Sequence, residues 1–363
     1  MCNPIASIQP QHSQSADAFA ERLIEIGNNA AIALMISIGH RTGLFDALEE
    51  MPPSTSEEIA TEAGLNERYV REWLAAMSVG GIVLYDPVQE CYSLPVEHAA
   101  FLTRGAAPDN LAVLMQYIAV LGSVEDEIVE CFEQGGGVPY AKFERFHAVM
   151  AEDSGQVVES MLLEQIIPLA PGLTRKLEMG IDVLDVGCGS GRAMVQLAEA
   201  FPRSRFTGYD FSEEAIERAQ GAAAEKGLSN LRFEVRDVTT LPEDDRYDLI
   251  TTFDAIHDQA KPAQVLSAIR DALRPEGLYL MQDIAGSSRL EGNFSHPVAP
   301  LLYTISCMHC MTVSLAAGGD GLGTLWGEEL ALSMLDDARF GQVEVHRLDG
   351  DIQNSYYLSR PAA

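Results

Sequence analysis

The spacing of hydrophobic and polar positions changes character about half-way along the chain. Beyond residue 181, short apolar runs alternate with stretches of helical period: "VLDVG" before "RAMVQLAEAF", "FTGYD" before "SEEAIERAQGAAAEKG", then "LRFEVRD". "YDLITTFDAIHD" precedes "PAQVLSAIRDALRPEG", "LYLMQDI" precedes a long segment, and "FGQVEVHRL" and "NSYYLSRP" end the pattern. Short apolar runs bounded by turn residues predict buried strands. Their alternation with amphipathic helices predicts an α/β fold, a Rossmann-like doubly wound sheet. The last two runs predict a hairpin at a mixed edge, giving seven strands.

The first half reads differently. Ser15 or Asp17 can cap a helix whose apolar positions are Phe19, Leu23, Ile26, Ala30 and Leu34. Ser54-Thr55-Ser56 before Glu57 and Glu58 starts a short helix that ends at Gly64. Asn66 caps another, with Tyr69, Trp73, Leu74 and Met77 at helical spacing, and "GGIVLYD" and "CYSLP" read as two short strands. Helix, turn, helix and two-stranded wing predict a winged-helix domain over 15–107. A helical linker or lid region follows over 108–178, broken by a glycine-rich stretch at 133–143, and the sheet domain spans 179–363.

Charge narrows the partners. The 363 residues carry a formal net charge of −30. Binding nucleic acid or an anionic membrane rests on Lys and Arg, so neither is expected. Residues 41–104 hold eleven acidic and four basic side chains, so the winged helix lacks the basic footprint of a DNA reader. Six scattered cysteines, Cys2, Cys91, Cys131, Cys188, Cys307 and Cys310, form no disulfide framework. The polar start "MCNPIASIQPQHSQS" reads as frayed and has neither the basic nor the apolar region of a leader. No apolar run approaches the roughly 18 residues of a membrane span. These readings predict a cytoplasmic protein.

The chemistry gathers at predicted strand ends. "VLDVGCGSG" puts Gly187, Gly189 and Gly191 between a strand and a helix. That G-x-G-x-G spacing lets a ligand approach the backbone at a helix N-terminus. It is neither the dinucleotide fingerprint nor a P-loop, since no Gly-Lys-Ser/Thr follows. Asp210 ends the next strand, where a carboxylate can accept from both hydroxyls of a ribose. Asp237 follows the third, where a carboxylate can take an exocyclic amine; it can equally be a turn residue before Thr239 and Pro242. Together these strand ends describe one pocket at the carboxyl edge of the sheet.

Residues 181–285 resemble the class I S-adenosylmethionine-dependent methyltransferases, with "VLDVGCGSG", "FTGYD" and "RDVTTLP" similar to their first three motifs. The resemblance implies S-adenosylmethionine as cofactor, with S-adenosylhomocysteine as product. It implies Asp185 and Gly187 at the methionine end, Asp210 at the ribose, and Asp237 with Val238 at the adenine. Phe211 lies along the adenine face, and Phe253, Asp254 and Tyr140 complete the cofactor set. The N-terminal half resembles the winged-helix domain of bacterial small-molecule O-methyltransferases, which implies a homodimer and a small-molecule acceptor.

Methylation of a hydroxyl needs a base, and neutral His is suited to that near pH 7. His257 stands just beyond the fourth strand, and His257-Asp258 resembles the start of the His-Asp-Trp-Ser-Asp motif of plant-type O-methyltransferases. Asp258, Glu291 and Glu328 are candidates to orient it. Phe143, His147, Tyr303, His309 and Trp326 are the candidate acceptor-pocket residues, and "AAGGDGLGTLWG" a candidate lid. Cys307 and Cys310 lack the further ligands of a zinc site, so no metal is expected. Two other functions fit the same residues. One is a regulator that binds S-adenosylmethionine or another ligand without turnover. The other is methylation of sulfur, nitrogen or arsenic through Cys307 and Cys310.

Overall fold

Side chains alternate across each strand of the C-terminal sheet, and that alternation builds two cores. The computed structural model describes residues 15–241 and 247–362; Cys2, the polar start and Pro242 lie outside them. The chain divides into two units between Ala119 and Val120. The helical stretch beyond Val120 belongs to the same unit as the sheet, and does not stand apart as a separate region.

In the first unit, Ser56–Glu62 and Glu67–Val79 are the paired helices, and strands β1 (Leu84–Asp86) and β2 (Cys91–Ser93) form the antiparallel wing. Thr55 and Glu58 close a capping box, and Asn66 caps the next helix through the Arg68 N–H. Val70, Trp73, Leu74 and Met77 are buried against Leu44, Phe45 and Ile59. The Trp73 indole donates to the Met35 carbonyl at 2.8 Å. The Arg68 and Arg71 guanidiniums are each held by a glutamate one turn away, Glu72 and Glu67.

The first helix, Ala16–Thr42, is capped by Ser15 as its sequence predicts. Its apolar stripe behaves otherwise: Phe19, Leu23, Ile26 and Leu34 are exposed, while Ala33, Ser37, Gly39 and His40 are the buried positions. The expectation that no apolar stretch nears membrane-span length also needs correcting. Two helices, Ala16–Thr42 and Ala299–Ala316, are long and apolar enough to pass that test, by length and composition only.

The second unit holds β3 (Asp182–Val186), β4 (Arg205–Asp210), β5 (Leu231–Val235), β6 (Tyr247–Phe253), β7 (Leu273–Ile284), β8 (Glu344–His346) and β9 (Asn354–Ser359). Their order in the sheet is β5-β4-β3-β6-β7-β9-β8. β3 to β7 are parallel, and β9 and β8 run antiparallel as the edge hairpin. Val183, Leu249, Leu280 and Leu358 point into one core; Leu184, Ile250, Met281 and Tyr357 point into the other. Burial on both faces explains why these strands read as continuous apolar runs.

The chain order reverses at β3 and β6, which makes their carboxyl ends the switch point where such sheets bind ligands. The turn after β3 is shaped for its place. Gly191 sits at φ +74°, and a Cβ there would run into the Phe233 ring and Ala219. Strain at positive φ and overpacking each cost about 1–3 kcal/mol. Gly191→Ala is therefore expected to lower stability by about 2–4 kcal/mol. The check is the urea midpoint; an unchanged midpoint would mean the Phe233 ring gives way freely.

Candidate active site

The glycine turn opens into a pocket lined by Asp185, Gly187, Cys188, Gly189, Ser190 and Phe253, with Glu214 and Arg218 at one side. The opposite wall is the helix Phe146–Met161, through His147, Met150, Ala151, Ser154 and Gly155. Of these helix residues only His147 was picked out from sequence. Small side chains one turn apart, Ala151, Ser154 and Gly155, were the available signal. The 135–137 glycines bring the preceding segment close: a Cβ on Gly137 would clash with the Thr312 backbone, and the Val138 N–H donates to Thr312 Oγ1 at 2.8 Å.

Asp185 is buried and its Oδ1 accepts from the Thr251 hydroxyl at 2.7 Å. Burial, with the Asp210 charge nearby, pushes its pKa up to about 7 despite that bond. Asp210 is buried too, its two oxygens accepting from the Gly189 and Ser212 N–H groups at 2.9 Å each. Each oxygen keeps a further lone pair for a ligand. Asp237 is exposed, and its Oδ1 accepts from both the hydroxyl and the N–H of Thr239, which lowers its pKa. That is the turn geometry, made with one oxygen. Val238 packs into the sheet core, and Phe211 lies exposed, edge-on to Tyr140 at 6.0 Å between ring centres. A side chain at Gly189 (φ +52°) would meet nothing within 4 Å, so the turn is open on its pocket side.

Beyond β6 the backbone turns sharply at Asp254, a non-glycine residue at φ +49°. Asp254 is held to β7: its N–H donates to the Gln282 carbonyl, and its Oδ2 accepts from the Gln282 amide at 3.1 Å. It therefore braces the loop that carries His257. His257 is 4% exposed, and its Nδ1 lies 2.8 Å from Asp283 Oδ1. Asp283, near the end of β7, is the orienting carboxylate. Asp258, Glu291 and Glu328, the three candidates taken from sequence, do not make this bond among the contacts of the described residues. The parallel register pairs Phe253 with Gln282, which brings the next residue of β7 level with the loop beyond β6.

Asp283 Oδ1 also accepts from the Trp326 indole at 3.0 Å and from the Ile284 N–H at 2.8 Å. Trp326 thus belongs to the core that fixes the carboxylate and is buried there. Asp283 Oδ2 is buried with no partner. Burial depresses the His257 imidazole, but the Asp283 carboxylate and the Cys310 thiol near the same ring together reverse that and raise the pKa.

The remaining pocket candidates fall into an aromatic cluster. Tyr140 OH lies 2.8 Å from His147 Nδ1. The His309 ring stacks on Phe146, 3.3 Å between centres and 5° from parallel, and meets Tyr140 and Phe143 edge-on at 5.3 and 4.7 Å. Phe143 is fully packed among these rings, so it is a wall of the cluster. His309 is wholly buried, and neither ring nitrogen has a partner. Leaving such a group unpaired costs about 1–3 kcal/mol. Burial and the neighbouring His257 and His147 hold it neutral, well below the usual imidazole range. Tyr303 stands apart, half-exposed, accepting from the Asn293 amide at 2.9 Å. The candidate lid is docked along its length: the Asp320 N–H donates to the Ala260 carbonyl, Lys261 donates to the Gly318 carbonyl, the Thr324 N–H donates to Ser306 Oγ, and the Trp326 indole donates to Asp283.

A seven-stranded mixed sheet in this order, with a glycine turn at its switch point and acids at the next strand ends, defines a methyltransferase fold of class I. Family comparison agrees and adds the first unit. Residues 177–330 match a methyltransferase domain, and residues 30–104 match the Rv2258c-like winged HTH domain. The chain thus joins those two domains, as the resemblance implied. A 37.1 kDa protein in transposon TN4556 of Streptomyces fradiae is 34% identical over 148 residues, 36% of this chain and 42% of that protein. The (S)-coclaurine N-methyltransferase of Papaver somniferum is 28% identical over 109 residues, 30% of this chain and 31% of that enzyme. The chain spans less than half the length of either relative. Among solved structures, the mitomycin 7-O-methyltransferase MmcR superposes with a TM-score of 0.69 at 17% identity, covering 95% of this chain and 98% of that one. Human N-acetylserotonin methyltransferase, solved in complex with SAM, gives 0.69 at 16% identity, covering 97% and 99%.

Proposed function

We propose that this protein transfers a methyl group from S-adenosylmethionine to a hydroxyl of a small-molecule acceptor, with His257 as general base. The observation that carries the reading is the buried His257–Asp283 pair at the carboxyl ends of β6 and β7. It lies at the same sheet edge as the glycine turn.

The residues of that turn fit the cofactor. Asp185 is a buried acid with no cation paired to it among the described residues, suited to the ammonium of a methionine moiety. The open side of Gly189 leaves room against the backbone. Asp210 holds spare lone pairs for a ribose, and Asp237 keeps one oxygen for an adenine amine. When bound, the cofactor supplies a methyl group activated by a sulfonium, so the protein's tasks are alignment and proton removal. Asp283 fixes Nδ1 of His257, which directs Nε2 to the acceptor, and it stabilises the imidazolium that forms once Nε2 takes the hydroxyl proton. The raised pKa of His257 means the base is charged at low pH and becomes competent as pH rises.

The exposed apolar stripe of Ala16–Thr42 supports a homodimer built on the first unit. Free thiols at all five described cysteines fit the cytoplasm.

Calorimetry with S-adenosylhomocysteine tests the cofactor reading. Binding is expected, with Asp210→Ala weaker by ~1.5–3 kcal/mol, the range for a hydrogen bond to a charged group. Absence of binding by the folded protein would favour the non-catalytic regulator. Affinity should also rise with pH up to about 7, because Asp185 must be ionised to meet an ammonium. Asp185→Asn should flatten that profile; a wild-type profile already flat would remove Asp185 from the ammonium site.

With a methylated acceptor in hand, His257→Ala should slow turnover about 10²–10⁴-fold. Asp283→Asn should also slow it, and should move the midpoint of the pH–rate curve downward. Wild-type rates in His257→Ala would end the general-base assignment. Sedimentation at micromolar concentration should return twice the 39.4 kDa chain mass, and a monomer would sink the dimer.

A further inference from the structure

The helical segment Ala299–Ala316 is interrupted near the base. Ala299–Ile305 and Met311–Ala316 are α-helical, but the turn between them, Ser306–Cys310, is a π-turn in which the Met311 N–H reaches back to the Ser306 carbonyl. One extra residue is accommodated there, an irregularity frequent at functional sites and present a second time at Leu162–Ile166. The last two residues of that turn do two unusual things. Cys310 places its thiol near the His257 ring, the group to which an acceptor hydroxyl would be delivered. His309 lays its ring flat on Phe146, as a planar ligand would, with both nitrogens buried and unpaired. No hydrogen bond rewards its position.

We propose that His309 and Cys310 are a plug occupying the acceptor site, and that the acceptor is a planar aromatic bearing a hydroxyl, which displaces His309 from the Phe146 face. This rests on the methyl-transfer reading above and deepens it. The acceptor ring takes the slot between Phe146, Tyr140 and Phe143, and its hydroxyl takes the place of the Cys310 thiol at His257. The release is built into the helix. Returning the π-turn to α register rotates the residues in it by roughly one helical step, about 100°, which carries both side chains off the site.

A plug competes with its ligand, so apparent affinity falls by the fraction of molecules left open. The test is the affinity for 2-naphthol, read by its fluorescence with S-adenosylhomocysteine at saturation. His309→Ala empties the slot and should bind 2-naphthol about tenfold more tightly than wild type. His309→Phe keeps the stacked ring and removes the unpaired nitrogens. It should bind about tenfold more weakly and melt at a higher temperature. Shifts in the same direction, no shift, or no binding of 2-naphthol by folded His309→Ala would each overturn the proposal. If His309→Ala does not fold, weaker binding with a raised melting point in His309→Phe still supports the plug, and its absence still refutes it. The two readings separate cleanly. A wild type that ignores S-adenosylhomocysteine but keeps the 2-naphthol order retains the plug and loses methyl transfer.

Discussion

The buried pair of His257 and Asp283 organises the carboxyl edge of the sheet. An ion pair removed from water is favourable only when its geometry is good and its remaining polar atoms are bonded. Asp283 Oδ1 meets the first condition with three donors, His257, Trp326 and the Ile284 N–H. Those donors come from the loop after β6, from the segment before the helix Gly327–Asp337, and from β7 itself. The pair therefore ties together three stretches that are distant in sequence. The Gln282 contacts to Asp254 add a fourth tie, and they offset the cost of a non-glycine residue in the left-handed region.

The same edge is acidic for a reason of topology. Asp185 lies one residue from the end of β3 and pairs with Gly208, and Asp210 ends the adjacent parallel strand two residues further on, so the sheet brings two carboxylates to one edge. Burial, with the Asp210 charge adding to it, pushes the Asp185 pKa up to about 7. A ligand carrying a positive group near Asp185 and hydroxyls near Asp210 relieves both problems at once. The pocket is thus poised electrostatically before anything binds, and the strongly negative whole chain adds to the field.

Much of this was legible in the sequence because it is local. Strand, glycine turn and helix lie within a dozen residues, and the winged helix declares itself through caps and periodicity that are satisfied nearby, such as Thr55 with Glu58. What was not legible depends on register or on partners. Asp283 lies inside the apolar run "LYLMQDI", 26 residues from His257, and its role appears only when Phe253 pairs with Gln282. A lone acid in a fully buried strand was the available signal, since such a group must find a donor. His309 and Cys310 lie on a π-turn, and a helical reading of period 3.6 would place them on the wrong face. The exposed stripe of the first helix failed for another reason: periodicity reports that a face wants to be covered, without saying whether its own domain covers it.

That last point bears on the winged unit. Its paired helices and wing have the outline of a DNA reader, yet the arginines that would meet phosphate are held by Glu67 and Glu72. Breaking those pairs to engage a polyanion would leave two carboxylates facing it, in a region where acids already outnumber bases. The apolar positions Trp73, Leu74 and Met77, which a groove reader could not expose, are instead the centre of the unit's own core. The surface the fold leaves in need of a partner is the stripe of Phe19, Leu23, Ile26 and Leu34. Its chemistry suits another apolar surface, and a second copy of the same helix is the partner that the homodimer proposal gives it.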